Sequence, residues 1–343
     1  MRTALLALLL APIVAAPLLA AAAEDDAACA VCHSQQASHF GATAMAQALE
    51  TVSSADILKN HPDLQFQEGL YHTQIKRAGD RSIITVTRGE ESFSVPIVFA
   101  FGRGRAGQTY VFEHEGVFYE SRASFYNGTG ALDLTIGDQG THPETVLEAA
   151  GRRLSPADAA NCFSCHSHGG VTGGVLHLDS MTPGVGCGSC HGPVEKHVAA
   201  IRAGNVAVAK LPHLGGLAAE EISELCGRCH RTWAQVAQMG MRGPNTVRFQ
   251  AYRLTNSKCY DVEDARIACT ACHDPHGQLN TNTASYDSKC AACHSAALRT
   301  KLCSVAKSNC VTCHMPKVDL PGAHAQFTDH QIRVVRAGEG FPN

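Results

Sequence analysis

The sequence is poor in aromatic side chains and carries little net charge. Phe, Tyr and Trp make up 6% of its 343 residues, with a single tryptophan, and the formal net charge is −3. The weak charge gives no indication of a nucleic-acid partner, and we predict none. The few aromatic residues are a thin supply for a conventional core of this size. We therefore expect a large apolar body other than side chains to fill part of the interior.

Long hydrophobic runs are absent after the first 23 residues. Residues 1–3 are a short basic segment, residues 4–20 are almost wholly apolar, and Ala21–Ala23 offers a cleavage site of small residues. This order is typical of a secretory signal peptide, and an uncleaved membrane anchor is the alternative. We predict a cleaved signal peptide over residues 1–23. The mature protein would then be periplasmic or secreted, without a transmembrane span.

Cysteine and histidine are abundant, with 16 and 19 residues, and they recur in one pattern. Seven times the chain reads Cys-x-x-Cys-His. The cysteine pairs are Cys29 and Cys32, Cys162 and Cys165, Cys187 and Cys190, Cys226 and Cys229, Cys269 and Cys272, Cys290 and Cys293, and Cys310 and Cys313. The histidines that complete the motifs are His33, His166, His191, His230, His273, His294 and His314.

This pattern is the attachment signature of haem c. Two cysteines form thioethers with the vinyl groups on one edge of the porphyrin, and the adjacent histidine is the proximal iron ligand. A zinc site or a thioredoxin-like pair would also use Cys-x-x-Cys, but neither needs a histidine after every copy. We predict seven covalently attached haems.

Two cysteines, Cys259 and Cys303, lie outside the motifs. In an exported protein the simplest prediction for such a pair is a disulfide. The alternatives are two buried free thiols, or a sulfur placed near an iron.

Twelve histidines lie outside the motifs, more than the seven sixth ligands that low-spin irons would need. His276 follows a proline turn and His197 lies on a predicted short helix, so both are candidate distal ligands. The further candidates are His61, His168, His177, His324 and His330. His39 and Met45 are alternatives near the first haem.

The predicted fold is α+β, with mostly short helices and loops around seven c-haems and a small antiparallel β-module inserted in the N-terminal half. β-branched and aromatic runs separated by Gly-rich turns indicate the module, over residues 55–140. Residues 24–54 are predicted as the first haem segment with a helix over 35–52, and residues 141–343 as a hexahaem domain. Ser155–Asp158 reads as a capping box.

The chain resembles exported multihaem cytochromes of the cytochrome c-552/4-like family, placed near relatives of hydroxylamine oxidoreductase and cytochrome c nitrite reductase. The resemblance covers most of the mature chain, more loosely in the β-module. It lies in Cys187–Pro193 with His197, in Cys269–His276, in Cys310–Lys317 running to His330, and in the Cys29 motif followed by Phe40, Thr43 and Met45. It implies closely stacked haems with bis-histidine ligation at most irons. The lysine-ligated haem of the nitrite reductases has no counterpart, because no Cys-x-x-Cys-Lys occurs.

The leading functional prediction is electron transfer to and from other redox proteins that dock transiently. The alternative is an oxidoreductase acting on a small nitrogen or sulfur compound at one five-coordinate haem. The first haem is then the expected open site, with His72, His114 or Arg103 near it. A third hypothesis makes the β-module a docking element for a membrane or surface complex.

The motif count predicts the haem content directly. A pyridine haemochrome assay on the purified, fully matured protein should give about seven haems per chain. A markedly lower count in correctly matured protein would contradict the haem prediction.

Overall fold

The computed structural model of the chain describes residues 26–103, 105–295 and 303–342. The predicted signal peptide lies outside the described residues, as does the linker between His294 and Cys303 over residues 296–302. Within the described ranges, no helix combines the length and the apolar character needed to cross a membrane.

A ten-stranded antiparallel sheet occupies the first half of the described chain. Its strands are β1 Leu49–Thr51, β2 Asp63–Glu68, β3 Tyr71–Ala78, β4 Arg81–Arg88, β5 Glu91–Phe101, β6 Gly107–His114, β7 Val117–Ser121, β8 Ala123–Tyr126, β9 Ala131–Leu134 and β10 Gly151–Arg153. The main path runs β10-β7-β6-β5-β4-β3-β2, while β1 pairs with β5 and β8 links β6 to β9. Several hairpins close with two-residue loops, as at Gly79 (φ 61°) and Gly89 (φ 59°), where positive φ suits the strand twist.

Two hydrophobic cores lie against the sheet, a larger one on one face and a smaller one on the other. The first core is built on fully buried side chains such as Ile75, Ile84 and Phe112, and short helices α3 (Asp56–Asn60) and α4 (Val146–Ala150) contribute to it. The second core joins Leu49, Phe99 and Val111 of the sheet to Phe163. Phe163 lies between the two cysteines of the second motif, so the sheet directly supports that motif.

From residue 156 onward the chain consists mainly of short helices and turns. They are α5 Pro156–His166, α6 Gly188–His191, α7 Glu195–Arg202, α8 Ala219–His230, α9 Trp233–Met239, α10 Gln250–Thr255, α11 Cys269–Cys272, α12 Asp287–Ala291 and α13 Cys310–His314, preceded near the N-terminus by α1 Asp26–Ala30 and α2 Ser34–Gly41. Short two-stranded pairings lie between them: β11 Ser167–His168 with β14 Thr182–Pro183, β12 Val171–Thr172 with β13 Val175–Leu176, and β15 Lys317–Leu320 with β16 Ala325–Thr328.

The predicted α+β class is confirmed, and the sheet is larger than the sequence indicated. β1 and β10 lie outside residues 55–140 and pair with strands β5 and β7 of the module, at Phe101 and Ser121. The predicted helix over 35–52 ends at Gly41, because the following residues turn and Leu49–Thr51 pairs as a strand. The capping box at Ser155 is confirmed, since Ser155 Oγ accepts a hydrogen bond from the Asp158 amide.

Substituting Ile84→Ala should destabilise the sheet by about 2–5 kcal/mol, because Ile84 is fully buried in the main core and the change leaves a cavity. Urea denaturation followed by far-UV circular dichroism measures the loss. Ile83→Ala is the matched control on the same strand, since Ile83 is 36% exposed and points to the opposite face. An effect of Ile83→Ala as large as that of Ile84→Ala would contradict this assignment of the core.

Candidate haem-binding sites

Each described motif folds around one helical turn. In the first, third and fifth motifs the histidine amide donates to the carbonyl of the first cysteine, at 2.8 Å for His33, 3.0 Å for His191 and 2.9 Å for His273. The sixth motif has the same hydrogen bond, from the His294 amide to the Cys290 carbonyl at 2.8 Å, and His166, His230 and His314 are the last residues of α5, α8 and α13. Because residues three apart share a helix face, one turn brings both sulfurs of a motif to the same side.

Three motif histidines face a second histidine from a distant segment. The ring centroids of His33 and His197 are 6.4 Å apart. Those of His191 and His276 are 6.1 Å apart, and those of His273 and His330 are 6.2 Å apart. An imidazole nitrogen binds a metal ion at about 2 Å, so two imidazoles on opposite sides of one iron have centroids roughly 6.3 Å apart. The three pairs therefore fit axial ligation of a haem iron.

Five histidine rings are held through Nδ1, which leaves Nε2 available. Four Nδ1 atoms donate to main-chain carbonyls, and that of His230 donates to the Gln250 side-chain oxygen. The contacts are His166 to Ala48 (2.8 Å), His197 to Ala209 (2.5 Å), His230 to Gln250 (3.1 Å), His314 to Arg333 (2.8 Å) and His330 to Thr328 (2.9 Å). Carbonyl oxygens only accept, so Nδ1 carries the proton and Nε2 has its lone pair free for a metal.

Burial favours the neutral form of the central histidines. Loss of water lowers the pKa of His330 to about 4 and also lowers the pKa of His191 and His273. A nearby imidazole acts in the same direction, His276 on His191 and His230 on His273. Neutral imidazole is the form that binds a metal, so these environments suit ligands.

The other predicted distal ligands have different neighbours. His61 packs on Phe125 in the sheet core, with ring centroids 4.8 Å apart. His168 Nδ1 lies 3.2 Å from Ser189 Oγ within the third motif, and His177 is exposed.

The Nε2 atom of His324 already has a partner, whereas Nε2 is free in His197 and His330. Its Nε2 lies 2.6 Å from an Asp133 carboxylate oxygen, and its ring contacts Tyr126. It thus joins the C-terminal hairpin to the sheet, whereas His330, six residues later, faces a motif histidine.

Sulfur atoms of different motifs lie close together. Cys29 Sγ and Cys187 Sγ are within 4.8 Å of each other and of an Asp26 carboxylate oxygen. Hydrogen bonds join Cys165 to Cys229, Cys226 to Cys269 and Cys290 to Cys310, and the charge of Cys190 acts on Cys226 and that of Cys290 on Cys272. These thiols stand in for thioether sulfurs, so the contacts report how close the attachment positions lie.

Hydrogen bonds between thiols of different motifs shift the pKa values of these cysteines. As free thiols, the partners shift in opposite directions: the hydrogen bond with Cys229 lowers the pKa of Cys165, while that with Cys269 raises the pKa of Cys226. The Asp26 cluster is part of the haem attachment geometry, because both of its sulfurs belong to motifs and Asp26 Oδ1 accepts from the Cys187 amide at 2.9 Å.

Two cavities adjoin the motifs. One of about 630 Å³ is lined by His191 and by α8 residues such as Leu225 and Arg228. Another of about 300 Å³ lies between Phe40 and Cys187, next to the first and third motifs. Their volumes are in the range of cofactor sites. Together with the paired imidazoles, they show that the residues present fit haem c.

Cys259 and Cys303 are free thiols and both are exposed. Although the residue as a whole is exposed, neighbouring atoms partly screen the Cys259 thiol from water, and this raises its pKa, as do the charges of Cys293 and Cys290 of the sixth motif to a smaller extent. Cys303 Sγ accepts a hydrogen bond from the Ala306 amide at 3.5 Å. The disulfide between Cys259 and Cys303 therefore stays a prediction.

Sequence reasoning missed the residues that orient the histidines. Gln250 holds His230, and Arg253 binds Asp329 next to His330. An acidic residue beside a candidate ligand is a usable signal for Asp329. Arg253 has no local signal, because it lies 76 residues away in the chain.

Comparison with known proteins gives two similarities. Residues 139–192, which hold the second and third motifs, match the family described as cytochrome c554 and c-prime. The chain is also 26% identical over 181 residues to the protein named multiheme cytochrome MtrA of Shewanella baltica (strain OS185), covering 41% of this chain and 54% of that relative. The chain thus spans about half the length of the curated relative that it matches. No solved structure matches it.

These similarities agree with the local chemistry. The repeated Cys-x-x-Cys-His motifs, the imidazoles paired at iron-bridging distance and the match to a c-type cytochrome family have one common explanation. The chain carries the attachment motifs of c-type cytochromes and is similar over part of its length to a multihaem cytochrome.

Proposed function

We propose that this chain is a periplasmic or secreted electron carrier with seven haems, most of them bis-histidine ligated, which passes electrons between redox proteins. The observation that carries the proposal is the continuous series of neighbouring attachment sites. A close approach of sulfur atoms relates the first motif to the third, and hydrogen bonds between thiols relate the fourth to the second and the fifth, and the sixth to the seventh. Longer-range electrostatic interactions between cysteines link the third motif to the fourth and the fifth to the sixth.

Such a series provides a path for electrons through the molecule. Bound haem supplies one-electron exchange at iron, while the chain holds, orients and insulates each site. The fourth motif is the branch point, because its Cys226 interacts with Cys269 of the fifth motif and its Cys229 with Cys165 of the second. An electron entering at the second site would therefore reach either end of the series through the fourth.

The paired histidines support a carrier over an enzyme at the first, third and fifth sites. With both axial positions filled by protein, an iron offers no position to a substrate. The sequence favours the first haem as the open site, but His197 lies opposite His33 there, with ring centroids 6.4 Å apart. His114 packs on Phe93 in the sheet, and Arg103 pairs with Asp56 at 3.4 Å.

An open iron, if the protein were an oxidoreductase, would then lie at one of four other sites. Their motif histidines are His166, His230, His294 and His314. A high-spin haem that persists in the wild-type protein and binds a nitrogen or sulfur oxyanion would favour this second function.

Docking of redox partners through the β-module is a separate part of the proposal. Deleting the module is a poor test, since Phe163 of the second motif packs on Phe99 and the deletion would expose that site. Leu70, 79% exposed in the loop between β2 and β3, is a cleaner position. Weaker partner binding by Leu70→Glu with an unchanged haem spectrum supports docking there, and unchanged binding argues against it.

Each of the substitutions His197→Ala, His276→Ala and His330→Ala should convert one haem to the high-spin state. The physical reason is the loss of the sixth ligand at the first, third and fifth iron respectively. Ferric EPR and the optical spectrum of the ferrous protein with CO measure the change, and each variant should bind about one CO more per chain than the wild type.

His142→Ala is the control, because His142 is exposed and lies outside the predicted ligand set. It should leave spin state and CO binding unchanged. If the three ligand variants stay fully low-spin at full haem content, the proposed bis-histidine assignment is wrong.

A further inference from the structure

A buried ion pair holds the segment that carries His330. The segment Asp329–Arg333, here called the C-terminal strap, follows β16. Arg253 of α10 donates from Nε to Asp329 Oδ1 at 2.8 Å and from Nη2 to Oδ2 at 3.0 Å. Both side chains have 0% exposure. The two parallel bonds fix the carboxylate in distance and in plane, as only a guanidinium does.

The remaining donors of Arg253 bind the strap and the C-terminal residues. Nη2 also donates to the Gln331 side-chain oxygen at 2.6 Å, and Nη1 donates to the Pro342 carbonyl at 2.9 Å. The guanidinium lies 4.3 Å from the centre of the Phe341 ring. A buried ion pair contributes little net stability compared with apolar packing of the same volume. Its retention here is better explained by the geometry that it imposes.

The strap supplies one histidine ligand and supports another. His330 faces His273 of the fifth motif, and its carbonyl accepts from Ser257 Oγ at 3.2 Å. At the far end of the strap, the Arg333 carbonyl accepts from His314 Nδ1 at 2.8 Å, and the Arg333 amide donates to the His314 carbonyl at 3.2 Å. His314 belongs to the seventh motif, so a single short segment contacts two haem sites.

Helix α10 also contacts the fourth haem site, through a residue one turn before Arg253. Gln250, three residues before Arg253, accepts from Nδ1 of His230 in the fourth motif. Because α10 has only the residues Gln250–Thr255, a shift of this helix moves the supports of three haem sites together.

We propose that Arg253 is a positioning residue, which sets the axial ligation of the fifth haem through His330 and the orientation of His314 at the seventh haem. The proposal rests on the bis-histidine assignment proposed above for the fifth site. Arg253 touches neither iron ligand directly, and it acts through Asp329, Gln331 and the strap backbone.

The test is Arg253→Lys, which keeps the charge and removes the planar pair of donors. We expect the haem content to stay at the wild-type value. The EPR signal of one low-spin haem should shift or be replaced by a high-spin signal that binds CO. In a redox titration, the midpoint potentials of the fifth and seventh haems should move, while those of the first, second, third and sixth haems, which α10 and the strap do not support, stay in place.

Arg122→Lys is the matched control. Arg122 is also buried and forms a bidentate pair with Glu68, at 2.6 Å for both bonds, but this pair lies in the sheet module. The Arg122→Lys variant should leave the EPR spectrum and the haem midpoint potentials unchanged. Similar spectral changes in both variants would overturn the proposal, because they would reflect a general loss of stability.

His330→Ala separates the two levels of the argument. If it produces no high-spin haem, the ligand assignment in the proposed function fails. If His330→Ala produces a high-spin haem while Arg253→Lys matches the wild type, the ligand assignment stands and the positioning role of Arg253 is overturned.

Ser257→Ala provides a second variant in case Arg253→Lys does not mature. It removes the hydroxyl that donates to the His330 carbonyl and accepts from the Ile332 amide at 2.8 Å. A smaller shift of the same EPR signal supports positioning by the strap, and an unchanged signal contradicts it.

Discussion

The architecture depends on holding two imidazole rings about 6 Å apart when their residues are far apart in the chain. His33 meets His197, His191 meets His276 and His273 meets His330. If each pair ligates one iron, as proposed, an error of an ångström in either backbone would lose the ligation, because a metal–imidazole bond is short and directional. The Nδ1 hydrogen bonds to carbonyl oxygens meet this demand, since they fix both the tautomer and the ring direction.

The sheet and the haem half of the chain meet at the second motif. Phe163 is fully buried among Phe99, Phe101 and Phe118, although its neighbours Cys162 and Cys165 belong to an attachment site. The Ala48 carbonyl, just before β1, accepts from His166 Nδ1. The sheet therefore acts as a rigid wall for one haem site, which gives the module a structural role besides any part in docking.

Buried charge is concentrated where the chain must be positioned accurately. The Arg253–Asp329 pair lies beside His330, and the Arg122–Glu68 pair joins the turn between β7 and β8 to the end of β2. Apolar packing tolerates small displacements, whereas a bidentate pair loses its hydrogen bonds. In a protein with few aromatic side chains, such ion pairs fix the positions of backbone segments that close packing of side chains fixes in other proteins.

The sequence by itself determined the seven Cys-x-x-Cys-His motifs, the presence of a β-module and the capping box at Ser155, because each depends on residues that are neighbours in the chain. Only the tertiary structure decided which histidines face which. His324 and His330 both lie just beyond the last motif, but Asp133, 191 residues from His324, occupies the Nε2 of that ring. The helix over 35–52 failed as a prediction for the same reason: strand pairing with β5 outweighed a local helical pattern. Contacts between distant residues carry no local signal, so pairing and positioning follow from the fold.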